Sequence, residues 1–189
     1  MAKKNGPKRS ALAAAAGLAG PIPAVQVGAL CWRRTRRGEL RVLLITSRDT
    51  GRWLIPKGWP MRRRTEAEAA AREAYEEAGV RGEVSPRSLG FFFYLKGLGN
   101  GRFAPCICRV FPLEVREMLR KYPEIGQRRI KWLSQDKAAR RLMEPELVAM
   151  VREFDPDLHR RAAEAAERGA SEAEPAGGEP GGEPGPGSD

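Results

Sequence analysis

The sequence has a single histidine and only three cysteines, and these shortages exclude several kinds of active site. His159 lies among arginines near a helical end, which is typical of a surface residue, so we do not expect a histidine-based mechanism. Cys31, Cys106 and Cys108 are odd in number and show no metal-like pairing. Because Cys106 and Cys108 are two residues apart in a strand-like run, they face the same side, and core packing is favoured over redox or zinc chemistry. Reduced cysteines predict a cytoplasmic location.

Long apolar runs are also missing, since no stretch approaches the roughly 20 residues of a membrane-spanning helix. The N-terminus carries Lys3, Lys4, Lys8 and Arg9 before the short apolar stretch ALAAAAGLAG, an order found in export signals. Because that stretch is rich in Ala and Gly rather than Leu, we favour a disordered basic arm over residues 1–22. No membrane association is expected.

Acidic residues are scarce in the first 163 residues, which hold 33 Lys and Arg against 17 Asp and Glu. Residues 164–189 reverse this balance, with one basic residue against seven acidic ones. We expect residues 161–189 to be a helical end and a disordered acidic tail of Gly, Pro and Glu. Residues 23–160 suit one domain. Their basic charge favours polyanionic ligands, although a GC-rich genome that prefers Arg to Lys would produce part of the excess.

Alternating strand and helix signals predict a single α/β or α+β domain with a mixed sheet. The β-prone runs are 25–32, 41–46, 53–55, 88–95, 103–111 and 129–133. The first two flank the basic turn RRTRRG and are predicted to form a hairpin. The helical patterns cover 66–78, 135–142 and 145–154. Pro156 is expected to break or restart the last helix.

The helix predicted over 66–78 has clear signals at both ends. Thr65 is a good N-cap, Glu68 completes a capping box, and Gly79 is a good residue to end the helix. A narrow stripe of small side chains can sit close against a sheet, and it consists of Ala67, Ala70, Ala71, Ala74 and Ala78.

Three carboxylates crowd one patch of this helix, namely Glu73, Glu76 and Glu77. Negative charge late in a helix also opposes the helix dipole, so the cluster calls for a cation. A hard divalent cation with oxygen ligands, Mg²⁺ or Mn²⁺, would resolve the conflict. A solvated acidic face is the alternative, and the glutamates alone do not exclude it.

The spacing of residues over the longer stretch from Gly58 to Val80 favours the metal site over the solvated acidic face. GWPMRRRTEAEAAAREAYEEAGV closely resembles the Nudix box, with Gly58, Arg72, Glu73, Glu76, Glu77, Gly79 and Val80 at the required positions. Two positions depart, because Arg64 replaces an upstream Glu and Ala74 is a small version of an aliphatic residue. Glu66, seven residues before Glu73 on the same helical face, is a candidate for the supporting role of the missing Glu. The resemblance implies a Nudix fold, in which a mixed sheet is sandwiched between helices.

The resemblance also implies roles for the box residues. Glu73, Glu76 and Glu77 would ligate Mg²⁺ or Mn²⁺, helped by a backbone carbonyl near Gly58. Arg72 would hold the carboxylates through charge-assisted hydrogen bonds. Water would attack phosphorus in line, and either Glu76 or Glu77 would accept its proton.

The flanking segments QVGALCWR, TSRDTGRWLIPKGWP and RRIKW are similar to the diphosphoinositol polyphosphate phosphohydrolase branch of that family. This similarity implies a densely anionic small-molecule substrate, a diphosphoinositol or dinucleoside polyphosphate, which requires a pocket lined by cations. The candidate substrate-binding residues are Arg48, Arg52, Lys57, Arg64, Arg129 and Lys131.

Two other functions remain open. One is an enzyme acting on RNA 5′ ends or nucleotides, which the basic charge would also tolerate. The other is a Nudix-fold module that binds RNA or phosphorylated ligands without chemistry, for which Arg64 is the only point in favour. Nucleic acid is therefore a possible but not a favoured partner, and the sequence gives no oligomeric state.

Overall fold

The computed structural model describes residues 22–99 and 101–172, so the predicted arm before Ile22 and the tail after Glu172 lie outside the described residues. The strands are β1 (Ala24–Arg34), β2 (Leu40–Thr46), β3 (Trp53–Leu54), β4 (Lys57–Gly58), β5 (Val80–Val84), β6 (Gly90–Gly99), β7 (Arg102–Met118) and β8 (Ile130–Leu133). The helices are α1 (Glu66–Ala78), α2 (Gln135–Ala139), α3 (Pro145–Glu153) and α4 (Pro156–Glu172). None of the helices in these two ranges is both long and apolar enough to span a bilayer.

All eight strands join one sheet with the order β3-β2-β1-β7-β5, to which β4, β6 and β8 add by pairing with β1, β7 and β2. β1 runs parallel to β7 from Ala24↔Cys106 to Trp32↔Glu114, and the other pairs are antiparallel. The predicted mixed sheet is therefore confirmed. The predicted hairpin of β1 and β2 is confirmed as well, with Trp32 opposite Val42.

The sheet buries side chains on both faces. Along β1, Val27, Ala29 and Cys31 pack with the alanines of α1, whereas Leu30 and Trp32 pack on the other face with α2, α3 and Phe154. This alternation is the period-two pattern of a strand covered on both sides. All three cysteines are buried and free, as core packing predicts.

Helix α1 has the predicted bounds and caps. The Thr65 side chain accepts a hydrogen bond from the Glu68 backbone, the Glu68 side chain accepts one from the Thr65 backbone, and Gly79 takes a left-handed conformation at the other end. Ala67, Ala69, Ala70, Ala74 and Ala78 are buried. The small side chains let the helix lie close to β1, which brings its carboxylates to the edge of the sheet.

The sequence-based prediction missed the two-residue strand β4 and the strand β5, and it ended β7 too early. β5 directly follows α1 and reads as a polar run, VRGEV, so its alternation gives no strand signal. β7 continues past Phe111 to Met118, because its second half pairs with β5 while its first half pairs with β6. Pro112 inside the run argued against such a continuation. Long-range pairing overrides the local signal at both places.

Residues from Asp155 onward form a second unit, which contains α4. The Asp155 carboxylate accepts hydrogen bonds from the backbone of Asp157 at 2.8 Å and Leu158 at 3.1 Å, so it caps the helix. Pro156 thus restarts a helix, as predicted, because proline fits the first helical turn. The expected end of the domain at residue 160 falls inside this helix.

Candidate active site

A cavity of about 570 Å³ opens where β1 begins and β2 ends. Gln26 lies at the start of β1, the loop from Ser47 to Arg52 follows β2, and Lys57 and Gly58 form β4. Helix α1 contributes Glu73 and Glu77, and the hairpin of β6 and β7 forms another wall. The cavity therefore lies at the part of the chain that carries the box.

The acidic end of the cavity is formed by Glu73 and Glu77, which are only 4% and 7% exposed. The Lys57 backbone N–H donates to Glu77 Oε2 at 3.0 Å. A Cβ atom on Gly58 would overlap the Glu73 carboxyl group, so glycine is required there for the close approach of backbone and carboxylate. Two carboxylates and a stretch of strand backbone thus meet in a small, largely water-excluded space.

Arg128 closes this end of the cavity, and its side chain is 6% exposed. The guanidinium donates to Glu77 Oε1, to Glu124 Oε2 at 2.9 Å and to the Thr46 carbonyl at 3.0 Å. Because the planar guanidinium donates to three acceptors at once, it holds the carboxylates of Glu77 and Glu124 in place. The pair of Glu77 and Arg128 is therefore a buried, hydrogen-bonded ion pair.

Burial raises the pKa of Glu77 to about 7, against the opposing effects of the Arg128 charge and the Lys57 backbone, and the Glu73 charge raises it further. The desolvation cost of the ionised carboxylate thus exceeds what Arg128 returns. A cation bound beside Glu77 would favour the ionised form of this carboxylate.

Glu76 does not line this cavity. Its Oε1 accepts a hydrogen bond from Arg72 Nε at 2.8 Å, the predicted i,i+4 pair, and its carbonyl accepts one from the Glu124 backbone at 3.0 Å. Across residues 22–99 and 101–172, no group of three or more acidic, histidine or cysteine side chains is arranged to hold a metal ion. The structure brings Glu73, Glu77 and Gly58 together and leaves Glu76 outside that group.

The residues present nevertheless fit a divalent cation. Mg²⁺ takes oxygen ligands and is commonly held by one or two carboxylates, with water and substrate phosphates completing its coordination. Glu73 and Glu77 supply such oxygens, and burial raises the pKa of Glu77 despite the charges of Arg128 and Lys57. Glu73 and Glu77, with the backbone at Gly58, would hold the ion.

The predicted substrate-binding residues divide into two groups. Arg48, Arg52 and Lys57 line the cavity, whereas the described lining does not include Arg64, Arg129 or Lys131. Arg64 is exposed in the loop before α1.

The other two cations outside the lining lie next to or on β8. The Arg129 guanidinium stacks over Trp53, 5.6 Å from the ring centroid, and Lys131 is exposed on the strand itself. Arg128, which the sequence analysis left out, takes the position expected of Arg129. Successive side chains of an extended segment point to opposite sides. Arg128 therefore faces the cavity, whereas Arg129, the next residue, faces away from it.

Carboxylates already partner the arginines of the cavity. Arg48 pairs with Glu124 at 3.4 Å, and Arg52 pairs with Glu144 at 2.8 Å. Among the described lining residues, six are cationic and five are acidic. The cavity therefore carries much less positive charge than the sequence total of +10 suggests.

Aromatic rings form the wall beyond the acidic end. Trp59 lies under the Lys96 ammonium at 4.5 Å, and Tyr94 lies under Lys57 at 4.6 Å. Phe103, which also lines the cavity, is 64% exposed. Burial and the nearby Lys57 charge lower the pKa of Lys96. The pairing of β6 with β7, which adds Lys96 and Phe103 to this wall, has no sequence signal.

Glu66 does not replace the Glu that is missing at position 64. Its carboxylate pairs with Arg109 of β7 at 2.6 Å, and it is not among the described residues of the cavity lining. This pair joins the start of α1 to the sheet, which is a structural role.

The contact between Gly58 and Glu73 gives a direct test of the acidic end. Gly58→Ala is expected to destabilise the fold by roughly 1–3 kcal/mol, because the new methyl group displaces the Glu73 carboxylate, and to weaken Mg²⁺ binding. Urea unfolding and Mn²⁺ titration followed by electron paramagnetic resonance measure the two effects. Gly97→Ala is the matched control, since nothing lies within 4 Å of a Cβ there; equal effects for the two variants would refute the explanation.

The raised pKa of Glu77 predicts a pH-dependent exchange of a proton for metal. Because the folded pKa of about 7 exceeds the ordinary 4.5, protonated Glu77 stabilises the metal-free fold fully below pH 4.5, and this stabilisation is lost as pH rises through 7. Metal binding at pH 6 should therefore release close to one proton, and binding at pH 8.5 almost none. Calorimetric titration in buffers of different ionisation enthalpy counts these protons. Pronounced release at pH 8.5 would contradict the assignment.

Comparison with protein families matches residues 24–154 to the NUDIX domain. Among curated proteins, Nudix hydrolase 16, mitochondrial, of Arabidopsis thaliana is 37% identical over 109 residues, which cover 56% of this chain and 60% of that protein. Diphosphoinositol polyphosphate phosphohydrolase 3-alpha of Mus musculus is 35% identical over 103 residues, covering 53% and 58%. The matches thus span about three-fifths of the length of each of these two relatives.

Solved structures share the fold at low sequence identity. A C. elegans Ap4A hydrolase superimposes with a TM-score of 0.52 at 19% identity, over 72% of this chain and 99% of that one. The NUDIX domain of Shewanella oneidensis NrtR, complexed with ADP ribose, gives 0.52 at 16% identity, over 75% and 94%. These likenesses concern the fold alone.

Proposed function

The chain belongs to the Nudix family, and from that premise we propose that it is a Mg²⁺- or Mn²⁺-dependent hydrolase of phosphoanhydride bonds in polyphosphate compounds. The observation that carries the proposal is the pair of buried carboxylates, Glu73 and Glu77, held against Gly58 at the floor of the cavity. A solvated acidic face would leave these side chains exposed, so the burial argues for a built site.

Each residue of the site has a distinct proposed task. When bound, the divalent cation supplies charge neutralisation for phosphate oxygens and polarises water for attack. Arg128 orients Glu77, and Lys57 places a cation where the substrate enters. Of the two proton acceptors that the sequence left open, we propose Glu77, because it reaches the cavity and Glu76 does not. Arg72 positions Glu76 at the border of the site.

For the substrate, we propose a dinucleoside polyphosphate. Its phosphate chain carries moderate charge, which suits a cavity with six cationic and five acidic side chains among the described residues. Its bases are flat, and aromatic rings such as Trp59, Tyr94 and Phe103 bind flat rings by stacking. The pairing of Arg48 and Arg52 with Glu124 and Glu144 leaves less free positive charge for a more heavily phosphorylated molecule.

A diphosphoinositol polyphosphate is the second candidate. It is favoured by a different observation, since curated relatives at 33–35% identity are named diphosphoinositol polyphosphate phosphohydrolases. Arg48 and Arg52 would share their guanidinium groups between such a substrate and their carboxylate partners, so each offers less net positive charge to it.

Steady-state kinetics with Mg²⁺ separate these candidates. The purified full chain is offered a dinucleoside polyphosphate, a diphosphoinositol polyphosphate, ADP-ribose and capped RNA, and the products are identified by chromatography. We expect kcat/KM to be at least about tenfold higher for the dinucleoside compound, because stacking contributes roughly 1–3 kcal/mol per base. The reverse order establishes the second candidate. Release from capped RNA alone assigns an RNA enzyme, and no turnover at all assigns a binding module.

A further inference from the structure

We propose that the hairpin turn between β1 and β2, with the neighbouring Trp132, is a binding surface for single-stranded nucleic acid. The surface, here called the arginine hairpin, is formed by Arg33, Arg34, Arg36, Arg37, Arg41 and Trp132. This inference does not depend on the proposed hydrolase activity, because it concerns binding at a different part of the fold.

The turn is a well-defined platform. The Thr35 hydroxyl accepts hydrogen bonds from the backbone of Arg37 at 3.3 Å and of Glu39 at 3.2 Å. The Gly38 N–H donates to the Thr35 carbonyl at 2.9 Å, and Gly38 takes a φ of +80°, which favours glycine. Because the backbone is fixed in this way, the arginines project from a rigid turn.

The hairpin concentrates like charges on two adjacent strands and their turn, where Arg34 Nη1 also donates to the Gly38 carbonyl at 3.2 Å. Arg33 and Arg41 are Cα partners on adjacent strands, a placement in which like charges repel. Glu39, which pairs with Arg41 at 2.6 Å, is the single acidic residue between positions 33 and 41, against five arginines. The Arg34, Arg36 and Arg37 residues are exposed. A bound polyanion would relieve the repulsion without any rearrangement of the turn.

An aromatic ring accompanies these charges. The Arg33 guanidinium lies 4.1 Å from the centroid of Trp132, which is half-buried on β8. The Trp132 indole N–H donates to Met118 Sδ at 3.2 Å, and this contact fixes the plane of the ring. Because the Arg33 guanidinium covers one face of this ring, a base of a single strand would stack on the outer side of that guanidinium.

The arginine hairpin is distant from the cavity. The cavity lies at the start of β1, near Gln26, and the hairpin begins at its other end, after Arg34. Eight residues of extended strand separate the two by roughly 25 Å. A small substrate in the cavity does not reach the hairpin, so a ligand of the hairpin would bind separately from the substrate.

The chemistry of the surface favours nucleic acid over an acidic protein. Arginine binds phosphate through two parallel N–H groups, and regularly spaced phosphates match arginines on a strand and its turn. An acidic peptide would satisfy the charges but would make no use of the exposed part of Trp132. Single-stranded nucleic acid binds guanidinium groups through its phosphates and flat rings through its bases, and this surface offers both.

Fluorescence anisotropy with a labelled 20-nucleotide oligouridine tests the proposal. EDTA is present, so that hydrolysis cannot interfere, and the dissociation constant is measured from 50 to 200 mM salt. Four phosphate contacts predict a slope of about −3 for log Kobs against log salt. In Arg36→Ala/Arg37→Ala the slope should be shallower by about 1.4, and binding at 50 mM salt should weaken about tenfold. Trp132→Leu should weaken binding about tenfold without changing the slope.

Arg140→Ala/Arg152→Ala is the matched control, because it removes the same charge from exposed positions outside the hairpin. It should bind within about twofold of the parent protein. If the hairpin variant instead keeps the parent slope and affinity, the proposal is overturned. Equal binding of a 20-residue polyglutamate would overturn the choice of nucleic acid. Circular dichroism confirms folding of each variant, and turnover of the dinucleoside substrate should be unchanged in Arg36→Ala/Arg37→Ala.

Discussion

Glu77→Gln is expected to lower kcat by roughly 10²–10⁴-fold on the preferred polyphosphate, the range observed when a positioned acid–base group is lost. The amide keeps the shape of the side chain but cannot accept a proton, and it binds a hard cation poorly. The amide can still accept the hydrogen bond from the Lys57 backbone, but its amino group then replaces the oxygen that accepts from Arg128. Urea unfolding of the variant therefore separates any loss of stability from the loss of chemistry and metal binding. Steady-state kinetics and Mn²⁺ titration measure the two parts separately.

Glu76→Gln is the matched control for this prediction, because the two residues are adjacent on α1. Glu76 pairs with Arg72 and does not line the cavity, so its loss should reduce kcat at least about tenfold less than the loss of Glu77. Equal losses for the two variants would show that Glu76 joins the site when metal and substrate bind. In that case the arrangement of the metal-free protein would not represent the working site.

The sequence was sufficient to predict the part of the site that a single helix and its entry loop build. The capping residues fix α1 in register, and the distance along the chain from Gly58 to Glu73 then fixes which carboxylate meets the backbone of β4. Every one of these relations is local or spans one loop. This is why the helix and its caps follow from the pattern of residues, while the meeting of Gly58 with the box carboxylates was implied by the resemblance to the Nudix box.

The opposite wall could not be predicted in the same way, because long-range pairing builds it. Glu124 and Glu144 are far from the box in sequence, yet they neutralise Arg48 and Arg52. Counting charges along the chain therefore overestimates the positive charge that a substrate meets. Arg128 and Arg129 are adjacent, and the sequence did not show which of them would be buried. The course of the chain before β8 decides this.

The effect of Arg64, which replaces the box Glu, depends on the position of the loop that carries it. The sequence suggested a phosphate-binding cation in place of the box Glu. In the structure Arg64 is exposed in the loop before α1, and its charge lowers the pKa of Glu68, after the larger effect of the hydrogen bonds at Thr65. Arg64 thus acts on the capping box, while the cavity retains the two carboxylates that the proposed chemistry requires.

Arg128→Met is expected to destabilise the metal-free protein by about 3–5 kcal/mol, the usual cost of removing one partner from a buried ion pair. The substitution leaves the Glu77 carboxylate buried without its guanidinium and removes one partner of Glu124. The Thr46 carbonyl also loses a hydrogen bond. For a protein of this size the melting temperature should fall by roughly 6–20 °C. Urea unfolding in EDTA gives the free energy directly.

Arg129→Met is the control, since Arg129 is exposed beside Trp53 and should cost less than about 1 kcal/mol. Added Mg²⁺ provides the discriminating measurement. If the cavity takes a cation at Glu77, Mg²⁺ should restore more stability to Arg128→Met than to the parent protein, because it supplies the positive charge that the variant lacks. A purely structural arginine would give the same increment in both proteins. A larger increment in the variant would thus tie the stability of this corner of the sheet to the metal that the proposed hydrolysis requires.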